Sequence, residues 1–183
     1  NKWVEGLVKG DKPLYNTISS IGAPGEVLLG SSVLGGIIHF DLDGSRPLYV
    51  QPENFLASMG GVRFIETKTL GKMGFFGKKL EYASFIGYGK IFLSCFGAPY
   101  VLELKENEQL AVNSDAVVAF SDNIRFSVGK SSKKGFLHSF ILGKFFDFTF
   151  TGPGTVYLQT RNKNNVSSWL NPKLDTGELY AEY

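Results

Sequence analysis

The stretch Phe148-Thr-Phe-Thr-Gly-Pro-Gly-Thr-Val-Tyr-Leu-Gln-Thr160 holds an alternating aromatic run, a Gly-Pro-Gly knot and a second alternating run. Alternation with a period of two is the mark of a strand with one buried face. Read locally, the glycine-rich centre could cradle a ligand or turn the chain between two strands. Comparison of the chain with itself separates these readings.

Displaced by 65 positions, Phe150, Gly152, Gly154, Val156 and Leu158 fall on Phe85, Gly87, Gly89, Ile91 and Leu93. A fainter third copy, Ala23, Gly25, Val27 and Leu29, stands in register with the middle one. Proline at the second position of a turn fixes φ, and glycine at the third accepts the positive φ of a type II turn. Gly152-Pro153-Gly154-Thr155 and Ala23-Pro24-Gly25-Glu26 both satisfy that rule. Recurrence at equivalent points favours a structural turn over a ligand cradle.

The repeat extends upstream. Residues 40–64 lie over 102–126 without a gap, at an offset of 62. Leu42 meets Leu104, Leu48 meets Leu110, Val50 meets Val112, Ala57 meets Ala119, and Val62-Arg63-Phe64 meets Ile124-Arg125-Phe126. The spacing predicts strands at 26–30, 37–42, 47–51, 62–67, 82–86, 90–95, 100–104, 109–113, 116–120, 124–129, 145–151 and 155–160. Turns at Asp43-Gly44, Glu106-Asn107 and Asp122-Asn123 suit hairpins. The chain reads as all-β, one unit of duplicated antiparallel sheets. The repeats fall at about 20–84 and 85–150, with closing strands at 151–160 and a tail at 161–183. Asn165–Leu170 is expected to form a short C-terminal helix stopped by Pro172.

Composition agrees. With 43% hydrophobic and 20% charged residues the chain belongs among folded proteins. Its 16 Phe and 22 Gly suit many short strands joined by tight turns. Nineteen basic against 17 acidic residues leave a net charge of +2, too balanced to imply nucleic acid or a membrane surface on electrostatic grounds. No run of about 18 apolar residues is present, so no transmembrane segment is expected. A start at Asn1 instead of Met points to a removed targeting segment or an incomplete N-terminus.

Catalytic constellations are sparse. Cys95 is the single cysteine, which excludes an internal disulfide and reads as a small sheet residue rather than a reactive thiol. The two histidines, His39 and His138, are too few for a cupin-type metal centre, which needs several converging on one ion. No G-x-S-x-G elbow occurs, and Gly30–Gly36 lacks the Lys-Ser/Thr ending of a phosphate loop. Asp147, within a Phe-rich strand, reads as solvent-facing rather than catalytic. We expect no catalytic residue, no cofactor and no metal.

Two segments interrupt the strand pattern at equivalent points of the repeats, residues 68–80 and 130–140. They read as long connections and candidate contact loops, with Lys72, Phe75 and Phe76 in the first and Lys133, Lys134 and Phe136 in the second. Lysines with interleaved phenylalanines could bind single-stranded RNA by charge and stacking. The near-neutral charge favours the other reading, in which the phenylalanines insert into a core or a neighbouring subunit.

The motif "GPGTVYLQTRN" (152–162) followed by "SSWL" (167–170), with "LYVQPENFLAS" (48–58) and "LAVNSDAVVAF" (110–120), resembles the altered-inheritance-of-mitochondria protein 24 family, also called the mitochondrial biogenesis family. The likeness covers roughly residues 20 to 170 and is most distinctive at the last motif. It implies a duplicated antiparallel β fold, described as TRAP-like or double-stranded β-helix, distantly related to the tryptophan RNA-binding attenuator protein. Gly152, Pro153, Gly154, Leu158 and Gln159 match the family's motif and are read as structural. The family has no accepted catalytic residues, and the distant relative's RNA contacts are not recognisable in this sequence. The resemblance implies a non-enzymatic structural or assembly protein, a subunit of a larger complex or homo-oligomer. The expected location is the mitochondrial matrix or inner membrane, where eukaryotic members serve inner-membrane organisation. The alternatives are an RNA-binding protein and a bacterial cytosolic protein. The segment before residue 20 and the tail after Trp169 depart from the family pattern and read as docking extensions.

Overall fold

The computed structural model describes residues 16–31, 33–73, 78–130, 146–162 and 166. Twelve strands occur among them: β1 (Ile37–Asp43), β2 (Leu48–Val50), β3 (Phe55–Gly60), β4 (Arg63–Met73), β5 (Lys78–Ile86), β6 (Tyr88–Ser94), β7 (Pro99–Leu104), β8 (Gln109–Asn113), β9 (Val117–Ser121), β10 (Arg125–Lys130), β11 (Phe146–Thr151) and β12 (Gly154–Gln159). Single 3-10 turns, Pro52–Asn54 and Ser114–Ala116, precede β3 and β9. The protein is all-β, with antiparallel strand pairing throughout the sheets.

The duplication is visible in the pairing itself. In β1–β6, Ile37 faces Ser94; in β7–β12, Pro99 faces Gln159. In β2–β5, Leu48 faces Phe85; in β8–β11, Leu110 faces Phe150. Arg63 faces Ile86 in β4–β5, and Arg125 faces Thr151 in β10–β11. Even an irregularity recurs: the register slips between Phe55 and Ala57 where β3 meets β6, and at the equivalent place where β9 meets β12. A bulge of this kind twists a strand locally. The sequence offset grows from 62 to 65 within the β4–β5 and β10–β11 connections, where the second copy carries three more residues.

By strand pairing the first copy runs from β1 through the segment after β6 and the second from β7 to β12, and each holds two three-stranded groups, β1-β6-β3 with β4-β5-β2, and β7-β12-β9 with β10-β11-β8. Strands β2 and β9 pair with each other, Leu48 opposite Ser121, Tyr49 opposite Phe120 and Val50 opposite Ala119. That junction fuses one group from each repeat into the six-stranded sheet β4-β5-β2-β9-β12-β7. Two apolar clusters fill the spaces behind these sheets. One gathers Leu48, Val50, Phe85, Ile91, Leu93 and Val118; the other Tyr49, Tyr82, Phe120, Phe148, Phe150 and Val156. Both β2 and β9 contribute to both clusters because they are buried on both faces.

Several sequence expectations change. Residues 26–30, expected as a strand, adopt no regular structure, and Leu28 is fully exposed. Strand β3 was not expected. The turns at Asp43-Gly44, Glu106-Asn107 and Asp122-Asn123 do not close hairpins. Each carries the chain from one sheet to the other, since β1 and β2, β7 and β8, and β9 and β10 belong to different sheets. Packing the two groups of a repeat face to face requires these crossings. The first interrupting segment is not a long loop: β4 runs on to Met73 and β5 starts at Lys78, an extended hairpin. The expected C-terminal helix lies outside the described residues except for Val166, whose N–H donates to the Asn162 carbonyl.

The opening motif also differs in detail. The Gly152–Pro153 peptide bond is cis and Gly154 has φ +153°, so the turn is not type II. Gly89, its counterpart, has φ +150°. At both sites a side chain would strike the preceding strand connection: Met59 O and Gly60 at Gly89, Ser121 Oγ and Ile124 Cβ at Gly154. Glycine is needed there because the chains approach too closely for a Cβ.

Candidate functional site

Among the described residues, the most densely bonded polar site is a knot between the repeats, built around the last residue of β12. Gln159 Oε1 accepts hydrogen bonds from Phe96 N (2.9 Å) and Asn54 Nδ2 (3.1 Å), while its Nε2 donates to Asp115 O (2.8 Å). Asn54 Nδ2 also donates to Ser94 O at 2.7 Å. Ser94 and Gln159 occupy equivalent positions, the ends of β6 and β12, and Asn54 lies between them on the turn before β3. The knot therefore ties the first repeat's Asn54 and Phe96 to the second repeat's β12 and to Asp115 beside β9. Its amide groups are neutral and, apart from the partnerless Asn54 Oδ1, directed at backbone and at one another, an arrangement for fixing geometry.

The other members of the motif act chiefly within the second repeat. Gly152 N donates to Glu108 O at 2.9 Å, and a side chain on Gly152 would collide with Lys105 O and Leu104 O. Pro153 is exposed, Gly154 opens β12, and Leu158 packs against the aromatic cluster.

A second chain of polar contacts crosses the β2–β9 junction. Lys68 Nζ donates to Tyr49 Oη (2.8 Å), and Tyr49 Oη donates to Asp122 Oδ1 (2.9 Å). Lys68 also lies 4.9 Å above the Tyr49 ring and 3.4 Å from Glu66. Burial chiefly raises the Tyr49 pKa, and the hydrogen bond to Tyr49 chiefly raises that of Lys68. Both shifts favour the protonated forms, so neither group is poised as a base or nucleophile near neutral pH. Sequence reading did not single out Tyr49 or Asn54, and named Asp122 only as a turn residue. Each acts through a partner distant in the chain, and for Tyr49 and Asn54 the local signal was the alignment of 48–54 with 110–116.

The remaining candidates fall apart in space. Cys95 is buried and free, and burial pushes its thiol up to about 11, which suits an inert packed residue. His39 is exposed on β1, with its ring 5.9 Å from that of Phe92. Among the described residues no group of three or more His, Cys, Asp or Glu side chains could hold a metal. Phe75, Phe76, Lys133, Lys134, Phe136 and His138 lie outside the described residues. So do the side chains of Lys72 in β4 and Asp147 in β11.

The model of the family described as "Mitochondrial biogenesis AIM24" matches residues 3–161. The chain belongs to the AIM24 family. Membership connects this AIM24 protein with mitochondrial biogenesis and with mitochondria. Among solved structures, the fold is similar to that of protein SPYM3_0169 from Streptococcus pyogenes, with a TM-score of 0.63 at 21% identity. That match covers 77% of this chain and 61% of the streptococcal one, so the AIM24 chain spans about three-fifths of that protein's length. At this identity the likeness speaks for the fold alone. No curated protein matches the chain. Among the described residues no helix is long and apolar enough to cross a membrane.

Proposed function

We propose that this AIM24 protein is a non-enzymatic structural or assembly subunit, working through protein–protein contacts in the organisation of the mitochondrial inner membrane or a large complex. It would act from the matrix or the inner-membrane surface. The observation that carries this reading is a set of large apolar side chains held out to solvent on ordered strands. Met59 is 57% exposed, Tyr88 74% and Tyr100 56%, with Ile65 and Val101 also exposed. Apolar side chains fixed on rigid strands suit a partner surface. The polar knots, by contrast, spend their hydrogen bonds on joining the repeats.

The test is purification of the tagged protein from its native source after mild cross-linking, with its companions identified by mass spectrometry. Specific protein companions, or a stable homo-oligomer, are the expected result. Recovery of monomer alone would overturn the proposal. So would recovery of RNA whose binding is lost when Lys72, Lys78, Lys133 and Lys134 are all changed to Glu.

A further inference from the structure

The twelve strands leave six sheet edges among the described residues: β1, β3, β4, β7, β8 and β10. The duplication sorts them. Strands β1 and β7 are equivalent and both are edges, and the same holds for β4 and β10. Strands β3 and β8 are different, because their equivalents, β9 and β2, are paired with each other in the middle of the six-stranded sheet.

Composition divides the edges in the same way. The matched edges carry charge: Asp41 and Asp43 on β1, Glu103 on β7, Arg63, Glu66 and Lys68 on β4, Arg125 and Lys130 on β10. Charged side chains are how sheet edges are kept from pairing with other chains. Strands β3 (FLASMG) and β8 (QLAVN) carry no charged residue. In this they resemble β2 (LYV) and β9 (VVAFS), the two strands that do pair. Topology and composition thus independently single out the same two edges.

We infer that β8 of one copy of this chain pairs antiparallel with β3 of a second copy, repeating between molecules the β2–β9 junction found within one. The internal register fixes the external one. Leu48, Tyr49 and Val50 correspond to Leu110, Ala111 and Val112, and Ser121, Phe120 and Ala119 to Met59, Ser58 and Ala57. The intermolecular pairs are therefore Leu110 with Met59, Ala111 with Ser58, and Val112 with Ala57. Where Tyr49 stacks on Phe120 inside the chain, the small pair Ala111–Ser58 lets two preformed edges meet without burying an aromatic ring from solvent first. The contact is head-to-tail, so copies add in one direction and form a ring where the rotation between successive copies closes, a filament where it does not. This gives the assembly reading its first partner, a second copy of the chain, and rests on that reading only for its purpose.

The test uses two single variants of the whole chain, Ala111→Cys and Ser58→Cys, both at exposed positions. Residues directly opposite in an antiparallel pair have Cα atoms about 4.5–5.5 Å apart, within the span a disulfide bridges. Mixed and mildly oxidised, the two variants are expected to give a covalent dimer, while neither does so alone. Mixing Ala111→Cys with Met59→Cys, one residue out of register, gives none. Sedimentation of the unmodified chain is expected to show a discrete oligomer, shifted toward monomer by Ala111→Lys or Met59→Lys with the far-ultraviolet spectrum retained. A monomer at tens of micromolar with no cross-link from the mixture overturns the inference. Cross-linking of either variant by itself also overturns it, since that reports a symmetric edge. Failure here, with protein companions still recovered from the native source, removes the self-pairing and leaves the broader assembly role standing.

Discussion

The rings of Tyr49 and Phe120 stack with centroids 5.2 Å apart across the β2–β9 junction, one from each repeat. Phe120 lies equally close to Tyr82, Phe126 and Phe150, with Phe148 at 6.3 Å, so one side chain holds together aromatic residues from both halves of the fold. Phe120→Ala is expected to cost roughly 3–5 kcal/mol, the usual range for emptying a buried phenylalanine site. Urea unfolding measures it. Phe126→Ala, on a ring that is 36% exposed, is expected to cost distinctly less. Equal losses would show that the cluster is not centred on Phe120.

What was legible in the sequence follows from which forces are local. Strands such as β11 and β12 announced themselves because Phe148, Phe150, Val156 and Leu158 alternate toward a core. The repeat was legible because the same buried positions recur. Strand β3 was hidden: Phe55-Leu-Ala-Ser-Met-Gly60 has neither β-branched residues nor a clean alternation, although its alignment with Val117–Asp122 pointed to it. Residues 26–30 misled for the opposite reason, having apolar residues but no partner strand among the described residues. The fusion of the repeats could not be read at all. Nothing local in Leu48–Val50 says that its second edge meets Val117–Ser121, since that pairing is decided by how two sandwiches pack. The Gln159 knot was legible only as a family motif, because its partners Asn54, Phe96 and Asp115 lie far away in sequence.

The glycines of the two repeated turns separate two kinds of glycine. Gly89→Ala and Gly154→Ala each force a side chain into a strongly positive φ and into a neighbouring chain. Each is expected to destabilise by roughly 2 kcal/mol or more, at the upper end of the cost of a strained backbone position. Gly30 has open space around it, and Gly30→Ala is expected to stay within about 0.5 kcal/mol of the parent. Thermal unfolding of the three variants side by side checks the contrast.

Cys95 predicts an alkaline loss of stability. Its thiol is raised by burial from an ordinary value near 9 to about 11. A group whose pKa is higher when folded binds its proton more tightly in the native state, so its contribution is complete below the unfolded pKa. That contribution is lost as pH rises through the window from about 9 to about 11. Urea midpoints measured at pH 7, 9 and 11 should therefore fall more steeply for the parent than for Cys95→Ala. In the folded parent at pH 8, a thiol reagent should react with Cys95 far more slowly than after unfolding. Parallel pH profiles for the two proteins would show that Cys95 is not held in its neutral form by the fold.

Gln159 joins the two repeats through three hydrogen bonds, two of them buried, and its removal should be felt more than its small size suggests. Gln159→Ala removes the acceptor of the buried Phe96 amide, the side-chain donor to Asp115 O and one of the bonds of Asn54. Each buried polar group left unsatisfied costs about 1–3 kcal/mol, so the variant should lose roughly 2–4 kcal/mol. Gln159→Glu separates bonding from packing. A carboxylate can still accept from Phe96 and Asn54, but it cannot donate to Asp115 O and would face that oxygen with a negative charge. Gln159→Glu should therefore recover stability as the pH is lowered and its carboxyl becomes protonated, since the neutral acid can again donate to Asp115 O. Unfolding at pH 5 and pH 8 distinguishes the outcomes: Gln159→Ala shifts equally at both, whereas Gln159→Glu is closer to the parent at pH 5. A Gln159→Glu protein as stable as the parent at pH 8 would show that the Asp115 bond adds nothing to the join.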